Sequence, residues 1–438
     1  MKNCLLNIKQ LKLCIIGLGY VGLPLAIEFG KKIPTKGFDI NKNRIQNLKN
    51  YIDENNELKK KDFKVSKKLS FYSNYTDIKD CNFYIVCVPT PVNKKNIPDL
   101  SLLRKACSLL SKVINKNDFI IFESTVHPGT TEEICMPIIK KEFCKLNRLD
   151  RINIDYFNFG YSPERINPGD KQNNLSNVYK IVSGTSKKNL SIISKVYSEV
   201  APKIFEAKSI KIAESAKIIE NCQRDINIAF MNELTIIFDN LNINFSDVLK
   251  AASTKWNFIN FKPGLVGGHC IGVDPYYLAH KSKIAGYTPK VILSGRKIND
   301  GMAKFFSEKI KYYLKEKLSN KKDVKKILLL GLSFKENVND IRNSKAIEIV
   351  DILKKRFKVH IHDPVVKKSQ LKSKYHNLFV KDFKSNFYDS VVLIVPHRSY
   401  LKKNFQKKIK KICKREYLVF DIKNAINLSL LKDNLVKF

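Results

Sequence analysis

Six residues near the start, Gly17-Leu18-Gly19-Tyr20-Val21-Gly22, constrain this chain more than any other stretch. They follow an apolar run at 12–17 and open a helical pattern over 19–31. In G-x-G-x-x-G between a strand and a helix, the first glycine permits a tight turn. The second lets backbone approach a pyrophosphate, and the third lets helix and strand pack closely. The next strand pattern, 35–40, carries Asp39 near its end. A carboxylate there holds ribose hydroxyls and repels a 2′-phosphate, so NAD is expected over NADP. Arg44 lies close enough in sequence to favour the phosphate instead, and a purely structural glycine turn is the plainer alternative.

Further buried-strand patterns at 82–88 and 118–123 are each followed by Pro or Gly and then a helical pattern. Strands alternating with helices predict a parallel, doubly wound sheet. From 209 to 241 the pattern becomes one long helix, with Ile212, Ala216, Ile219, Ile226, Phe230, Leu234 and Ile237 recurring near helical period. At about 1.5 Å per residue it would span about 45 Å. More helix is predicted at 245–252 and 287–314. A second α/β segment follows, with strands at 327–331, 359–362, 391–395 and 417–421 and a helix at 345–353.

The chain of 438 residues is too long for one core. The expected fold class is α/β: two Rossmann-like doubly wound domains joined by a long central helix and a helical middle domain. The expected bounds are 1–208 for the NAD-binding domain, 209–315 for the central helical, dimerisation domain and 316–438 for the second α/β domain. Apolar residues cover more than one face of the long helix, which predicts a homodimer or higher homo-oligomer.

A net charge of +39 raises the question of a nucleic-acid partner. Only 11 of the 80 basic residues are arginine. The lysines are spread along the chain, with no RNA-binding aromatic motif or zinc finger, so no nucleic acid is expected. The ten cysteines form no C-x-x-C pair, which argues against a metal site or a disulfide framework and for a reduced, cytoplasmic protein. The apolar stretch at 11–29 resembles a leader, but its glycines, Pro24 and Glu28 interrupt it, and no membrane association is expected.

The chemistry points to Gly267-Gly268-His269-Cys270-Ile271-Gly272-Val273-Asp274. A thiol on a glycine-rich turn, four residues before a carboxylate, suits attack on a carbonyl whose adduct a hydride acceptor then oxidises. The plainer reading of a lone cysteine is packing. His269 is adjacent to Cys270, and adjacent side chains diverge, so no direct role is expected for it. Lys217 and Asn221 are four apart and share a helix face, where two donors would stabilise an oxyanion. The same spacing is common on surfaces. Glu164, in Tyr161-Ser162-Pro163-Glu164-Arg165, would position water or simply face solvent.

Together these residues resemble the UDP-glucose/GDP-mannose dehydrogenase family. The resemblance covers nearly the whole chain. It rests on the glycine turn, Val88-Pro89-Thr90-Pro91, Glu123-Ser124-Thr125-Val126, Ser162-Pro163-Glu164-Arg165-Ile166-Asn167-Pro168-Gly169, Lys217 with Asn221, the Cys270 turn and Gly331-Leu332-Ser333-Phe334-Lys335. Gln223-Arg224-Asp225-Ile226-Asn227, Thr254-Lys255-Trp256-Asn257-Phe258 and the stretch 263–277 resemble the bacterial branch acting on UDP-N-acetylglucosamine or UDP-N-acetylgalactosamine, of Vi-antigen and O-antigen type.

The resemblance implies oxidation of a sugar C6 alcohol to a carboxylate with two NAD⁺, through a thioester on Cys270, for surface polysaccharide synthesis. It implies that Lys217 and Asn221 stabilise oxyanions, that Asp274 and Thr125 assist proton transfer or hold water, and that Glu164 helps hydrolyse the thioester. Cofactor contacts would come from Gly17, Gly19, Tyr20, Val21, Gly22, Asp39, Arg44, Pro89, Thr90, Thr125 and Arg342. Substrate contacts would come from Glu164, Arg165, Lys217, Asn221, Phe261, Gly264, Gly267, Phe334, Lys335 and Lys423, the third domain holding the UDP-sugar. Asp421-Ile422-Lys423 departs from the family's Asp-x-Arg, and lysine keeps the charge but loses the bidentate fork.

Other nucleotide-sugar 6-dehydrogenases (for UDP-glucose, UDP-N-acetylmannosamine or GDP-mannose) remain the alternative substrate readings. A two-electron hydroxyacid or 6-phosphogluconate type of dehydrogenase would need neither the cysteine nor the second α/β domain. A basic binding protein would show salt-sensitive nucleic-acid affinity and no NAD reduction.

Overall fold

The computed structural model describes residues 10–437 apart from 56, 151, 154–155, 167–174, 176, 319–323, 427–430 and 432–433. Asn167, Pro168 and Gly169 of the motif around Glu164 therefore lie outside the described residues. The chain forms two compact units, one drawn from 1–220 and 276–288, the other from 221–275 and 289–438.

The first unit contains β1 (Leu13–Ile16), β2 (Thr35–Phe38), β3 (Leu69–Tyr72), β4 (Phe83–Val86), β5 (Phe119–Phe122), β6 (Asn158–Tyr161), β7 (Lys180–Gly184) and β8 (Ile204–Glu206). They form one sheet in the order β3-β2-β1-β4-β5-β6-β7-β8. The first six strands follow the order of dinucleotide-binding folds, which places a crevice at the carboxyl ends of β1 and β4. Every residue of β1, β4 and β5 is buried, as strands covered on both faces require. Their uninterrupted apolar runs made them visible in the sequence, whereas short β8 is largely exposed.

β7 departs from the all-parallel expectation. It runs antiparallel to β6, pairing Tyr161 with Ser183. Among the described residues no helix separates them, and a connection without a crossover helix returns the chain antiparallel.

The long helix spans Ile210–Asn240. Beyond it, the helix expected at 287–314 spans Lys290–Lys317, and a further helix that the sequence reading did not include, Asp274–Ile284, precedes it. Gly286 lies between them at φ +86°, a left-handed position that ends a helix, and Pro289 caps the next.

The second unit holds β9 (Lys326–Leu330), β10 (Lys358–His362), β11 (Tyr388–Leu393), β12 (Cys413–Asp421) and β13 (Leu435–Lys437). Its order is β10-β9-β11-β12-β13, parallel throughout, the other common doubly wound plan.

The two sheets repeat one device. Gly17, at φ +90°, donates its N–H to Phe38 O at 2.9 Å, and Leu18 N–H reaches Asp39 Oδ2 at 3.0 Å. Gly331, at φ +91°, donates to His362 O at 2.9 Å, and Leu332 N–H reaches Asp363 Oδ2 at 2.6 Å. Only the first has a helix opening at once, at Gly22; the second waits until Lys345.

Candidate active site

In the first unit the glycine turn is dictated by close approach. A Cβ on Gly17 would lie 3.0 Å from Cys87 O, and one on Gly22 only 1.9 Å from Gly17 O. A Cβ on Gly19 would meet nothing within 4 Å, so backbone there stands open to a ligand. This cradle fits the pyrophosphate of a dinucleotide. Tyr20 and Val21 sit half-buried within it.

Asp39 follows β2, and besides Leu18 N–H it accepts from Asn41 N–H at 2.9 Å through Oδ1. Arg44 is buried, and its Nε and Nη2 donate to Leu18 O at 3.1 and 3.0 Å. The same Nη2 pairs with Asp53 Oδ1 at 2.8 Å. Arg44 thus braces the glycine turn from beneath. Pro89, Thr90 and Thr125 follow the carboxyl ends of β4 and β5, where Thr90 Oγ1 donates to Thr125 O at 2.6 Å. Tyr277 Oη donates to Thr90 O at 2.9 Å, fixing the loop from the helix Asp274–Ile284.

After β6, Glu164 Oε1 accepts from Arg165 N–H at 2.7 Å and Ile166 N–H at 2.5 Å. Arg165 turns away, to Tyr179 O at 2.9 Å and Glu220 Oε1 at 2.9 Å. In the sequence Glu123 stood out only as part of a motif, and Lys180 not at all. These two form a buried pair at 2.7 Å behind Glu164. A lone lysine opening the apolar strand Lys180-Ile181-Val182 was the available signal. Lys217 is half-buried one helical turn before Asn221.

In the second unit Cys270 sits exposed on its turn, and its carbonyl accepts from Val273 N–H at 2.9 Å and Asp274 N–H at 2.8 Å. Asp274 is buried, and its Oδ2 accepts from Asn221 Nδ2 at 2.5 Å. The structure therefore gathers Cys270, Asp274 and Asn221, although Asn221 is far from the other two in sequence. The lead-in glycines are again forced. A Cβ on Gly267 would lie 2.6 Å from Asn343 O, and one on Gly268, at φ +85°, 2.5 Å from the Phe334 ring.

His269 Nε2 lies 3.1 Å from Asp340 Oδ2, and Arg342 Nη2 donates to the same oxygen at 2.6 Å. Burial pushes the Asp340 carboxyl up, but the His269 and Arg342 hydrogen bonds outweigh it and hold it well below the usual carboxylate range. Arg342, half-exposed, is thus engaged within its own unit.

Gly267, Phe334 and Lys423 line one water-sized cavity of about 10 Å³ with Ile394 and Val395, at the ends of β9 and β11. This is the point where the order of the second sheet reverses, the ligand position of such folds. A Cβ on Gly264 would lie 3.4 Å from Lys423 Cε. Lys423 Nζ pairs with Glu336 Oε1 at 2.5 Å. Phe261 and Lys335 are half-buried. Among the described residues no cluster of His, Cys, Asp and Glu could hold a metal.

Comparison with known proteins agrees with this arrangement. Residues 11–201 match the UDP-glucose/GDP-mannose dehydrogenase family, NAD binding domain; 211–301 match its central domain, and 328–428 its UDP binding domain. The chain is 46% identical over 423 residues to a UDP-N-acetyl-D-glucosamine 6-dehydrogenase of Salmonella typhi, covering 96% of this chain and 97% of that one. It is 46% identical over 422 residues to an enzyme of the same name from Pseudomonas aeruginosa, covering 96% and 98%. Among solved structures, a UDP-D-ManNAc dehydrogenase from Pyrococcus horikoshii superposes with TM-score 0.83 at 28% identity, covering 98% and 99%. With a dinucleotide cradle, a thiol turn and a UDP binding domain in one chain, the protein belongs to the UDP-glucose/GDP-mannose dehydrogenase family.

Proposed function

We propose that this enzyme oxidises the C6 alcohol of a UDP-N-acetylhexosamine, UDP-N-acetylglucosamine first, to the uronic acid for surface polysaccharide synthesis. The observation that carries the substrate is near-full-length identity of 46% to enzymes named for it. Bound NAD⁺ supplies the hydride acceptor, twice per product. The chain's own residues do the rest. Cys270 Sγ adds to the C6 aldehyde, giving a thiohemiacetal and, after loss of a hydride, a thioester. Lys217 and Asn221 donate to the oxyanions, Asn221 being held by Asp274. Asp274 and Thr125 handle protons or water, and Glu164 takes the proton of the water that hydrolyses the thioester. Arg165, Phe261, Gly264, Gly267, Phe334, Lys335 and Lys423 serve the UDP-sugar, and Arg342 the cofactor.

The working form is a homodimer or higher homo-oligomer. Its cysteines suit the reducing cytoplasm, and no helix among the described residues is long and apolar enough to cross a membrane.

The test compares kcat/KM for UDP-N-acetylglucosamine and UDP-glucose. A pocket built for an acetamido group leaves buried polar groups unpaired when a hydroxyl binds, so a preference of at least about tenfold is expected. A higher value for UDP-glucose would overturn the substrate reading and leave the thioester chemistry standing.

A further inference from the structure

We propose that Lys180 is the positioning residue of the hydrolytic half-reaction: anchored by Glu123, it fixes the Pro163–Glu164 peptide and holds the Glu164 carboxylate ready to accept a proton from water. This rests on the assignment of Glu164 to thioester hydrolysis.

The geometry lies within the first unit. Lys180 opens β7 with its side chain only 3% exposed, and Glu123 follows β5 with its side chain fully buried. Lys180 Nζ donates to Glu123 Oε2 at 2.7 Å and to Pro163 O at 3.1 Å. The second bond grips the carbonyl immediately before Glu164. Tyr197 Oη donates to the other Glu123 oxygen at 2.6 Å, so the anchor is itself held on both sides. The Tyr197 ring lies 5.5 Å from the ammonium.

Glu164 divides its two oxygens. Oε1 is spent on the Arg165 and Ile166 amides, whereas Oε2 lies 4.0 Å from Lys180 Nζ. Its side chain keeps 14% exposure, enough for water to reach a carboxylate beside a buried ion pair.

A buried ion pair contributes little net stability compared with apolar residues of the same shape, because desolvation offsets attraction. A lysine retained there, with one bond directed to the catalytic loop, is better explained by what it orients. The charged and titratable groups facing Lys180 are Glu123 after β5, Glu164 on its loop, Tyr197 on the helix Lys187–Ser198 and Cys87 after β4. Arg165 bonds elsewhere.

Burial pushes the Glu123 carboxyl up, opposed by Lys180. Burial pulls the lysine down, and Glu123 and Glu164 together more than restore it. Without the ammonium, the buried Glu123 would take a proton and the Pro163 carbonyl would lose its donor, so the loop that carries Glu164 would lose its anchor.

The step affected is specific. Water oxygen bonds to the thioester carbon, the C–S bond breaks, sulfur leaves as the Cys270 thiolate, and the water proton passes to Glu164. No electrons are exchanged, so both oxidations precede it.

The experiment follows pre-steady-state NADH formation by Lys180→Met with UDP-N-acetylglucosamine and NAD⁺, together with the intact mass of the quenched protein. A misplaced general base slows its own step, so turnover should fall at least about tenfold while the initial NADH burst keeps its rate. A UDP-sugar acyl adduct should accumulate on Cys270. Lys180→Arg should restore turnover.

Should Lys180→Met fail to fold, the double variant Glu123→Gln/Lys180→Met removes the pair as a neutral unit. Its introduced amide can still meet the Tyr197 hydroxyl, and the same phenotype is expected. A burst slowed as much as turnover, with no adduct, would overturn the proposal. Full turnover by Cys270→Ala would overturn the thioester itself, a failure visible without any change at Lys180.

Discussion

Asp39 and Arg44 decide coenzyme choice at the level of single side chains. The sequence allowed either to prevail, since both follow the strand that ends beside the glycine turn. In the structure Arg44 is committed beneath that turn, to Leu18 O and Asp53, while Asp39 stands at the tip of β2. NAD should therefore exceed NADP in kcat/KM by at least about tenfold, about 1.4 kcal/mol. Equal values would mean that Arg44 leaves Asp53 to meet a 2′-phosphate. The glycines, Cys270, Asp274 and the Lys217–Asn221 spacing stood out in the sequence because each lies in a short motif, and the structure joins Asn221 to Asp274. The Glu123–Lys180 pair was not. Its members are 57 residues apart, and they meet only because β7 turns back antiparallel beside β6.

Among the elements, the long helix was visible nearly to the residue, its period being long and unbroken. What its pattern left open was which apolar residues stay uncovered. Ile218, Cys222, Ala229 and Met231 are buried, whereas Ile212, Ile219, Phe230 and Ile237 are exposed at 48, 55, 52 and 43%. The exposed four are separated by seven, eleven and seven residues, which at about 100° per residue places them in one narrow stripe. An exposed apolar stripe of this kind is what a partner helix covers, and the homodimer is expected to use it. Light scattering at micromolar concentration should give at least twice the 50.5 kDa chain mass. A monomer would contradict the dimer. The helix after Gly286 was visible too, whereas Asp274–Ile284 was not, because its apolar residues do not recur on one face.

For the whole molecule, one strand–turn–carboxylate device occurs twice, and the difference after it separates two tasks. In the first sheet a helix opens directly at the glycine turn, leaving Gly19 open for a pyrophosphate. In the second the intervening residues 332–344 carry Phe334 and Lys335 instead, and the buried Asp363 is also engaged by His397 at 3.0 Å. The matching grammar of the two halves was apparent in the alternation of strands and helices; their different use of it depended on contacts that no local pattern records.

Both oxidations are assigned to one chain, acting on a substrate that it holds covalently. The most direct measurement is the NADH formed per UDP-N-acetylglucosamine consumed, with the product identified by mass. Two NADH for each sugar, ending in the uronic acid without free aldehyde, is the predicted result. One NADH for each sugar, with the aldehyde released, would contradict it.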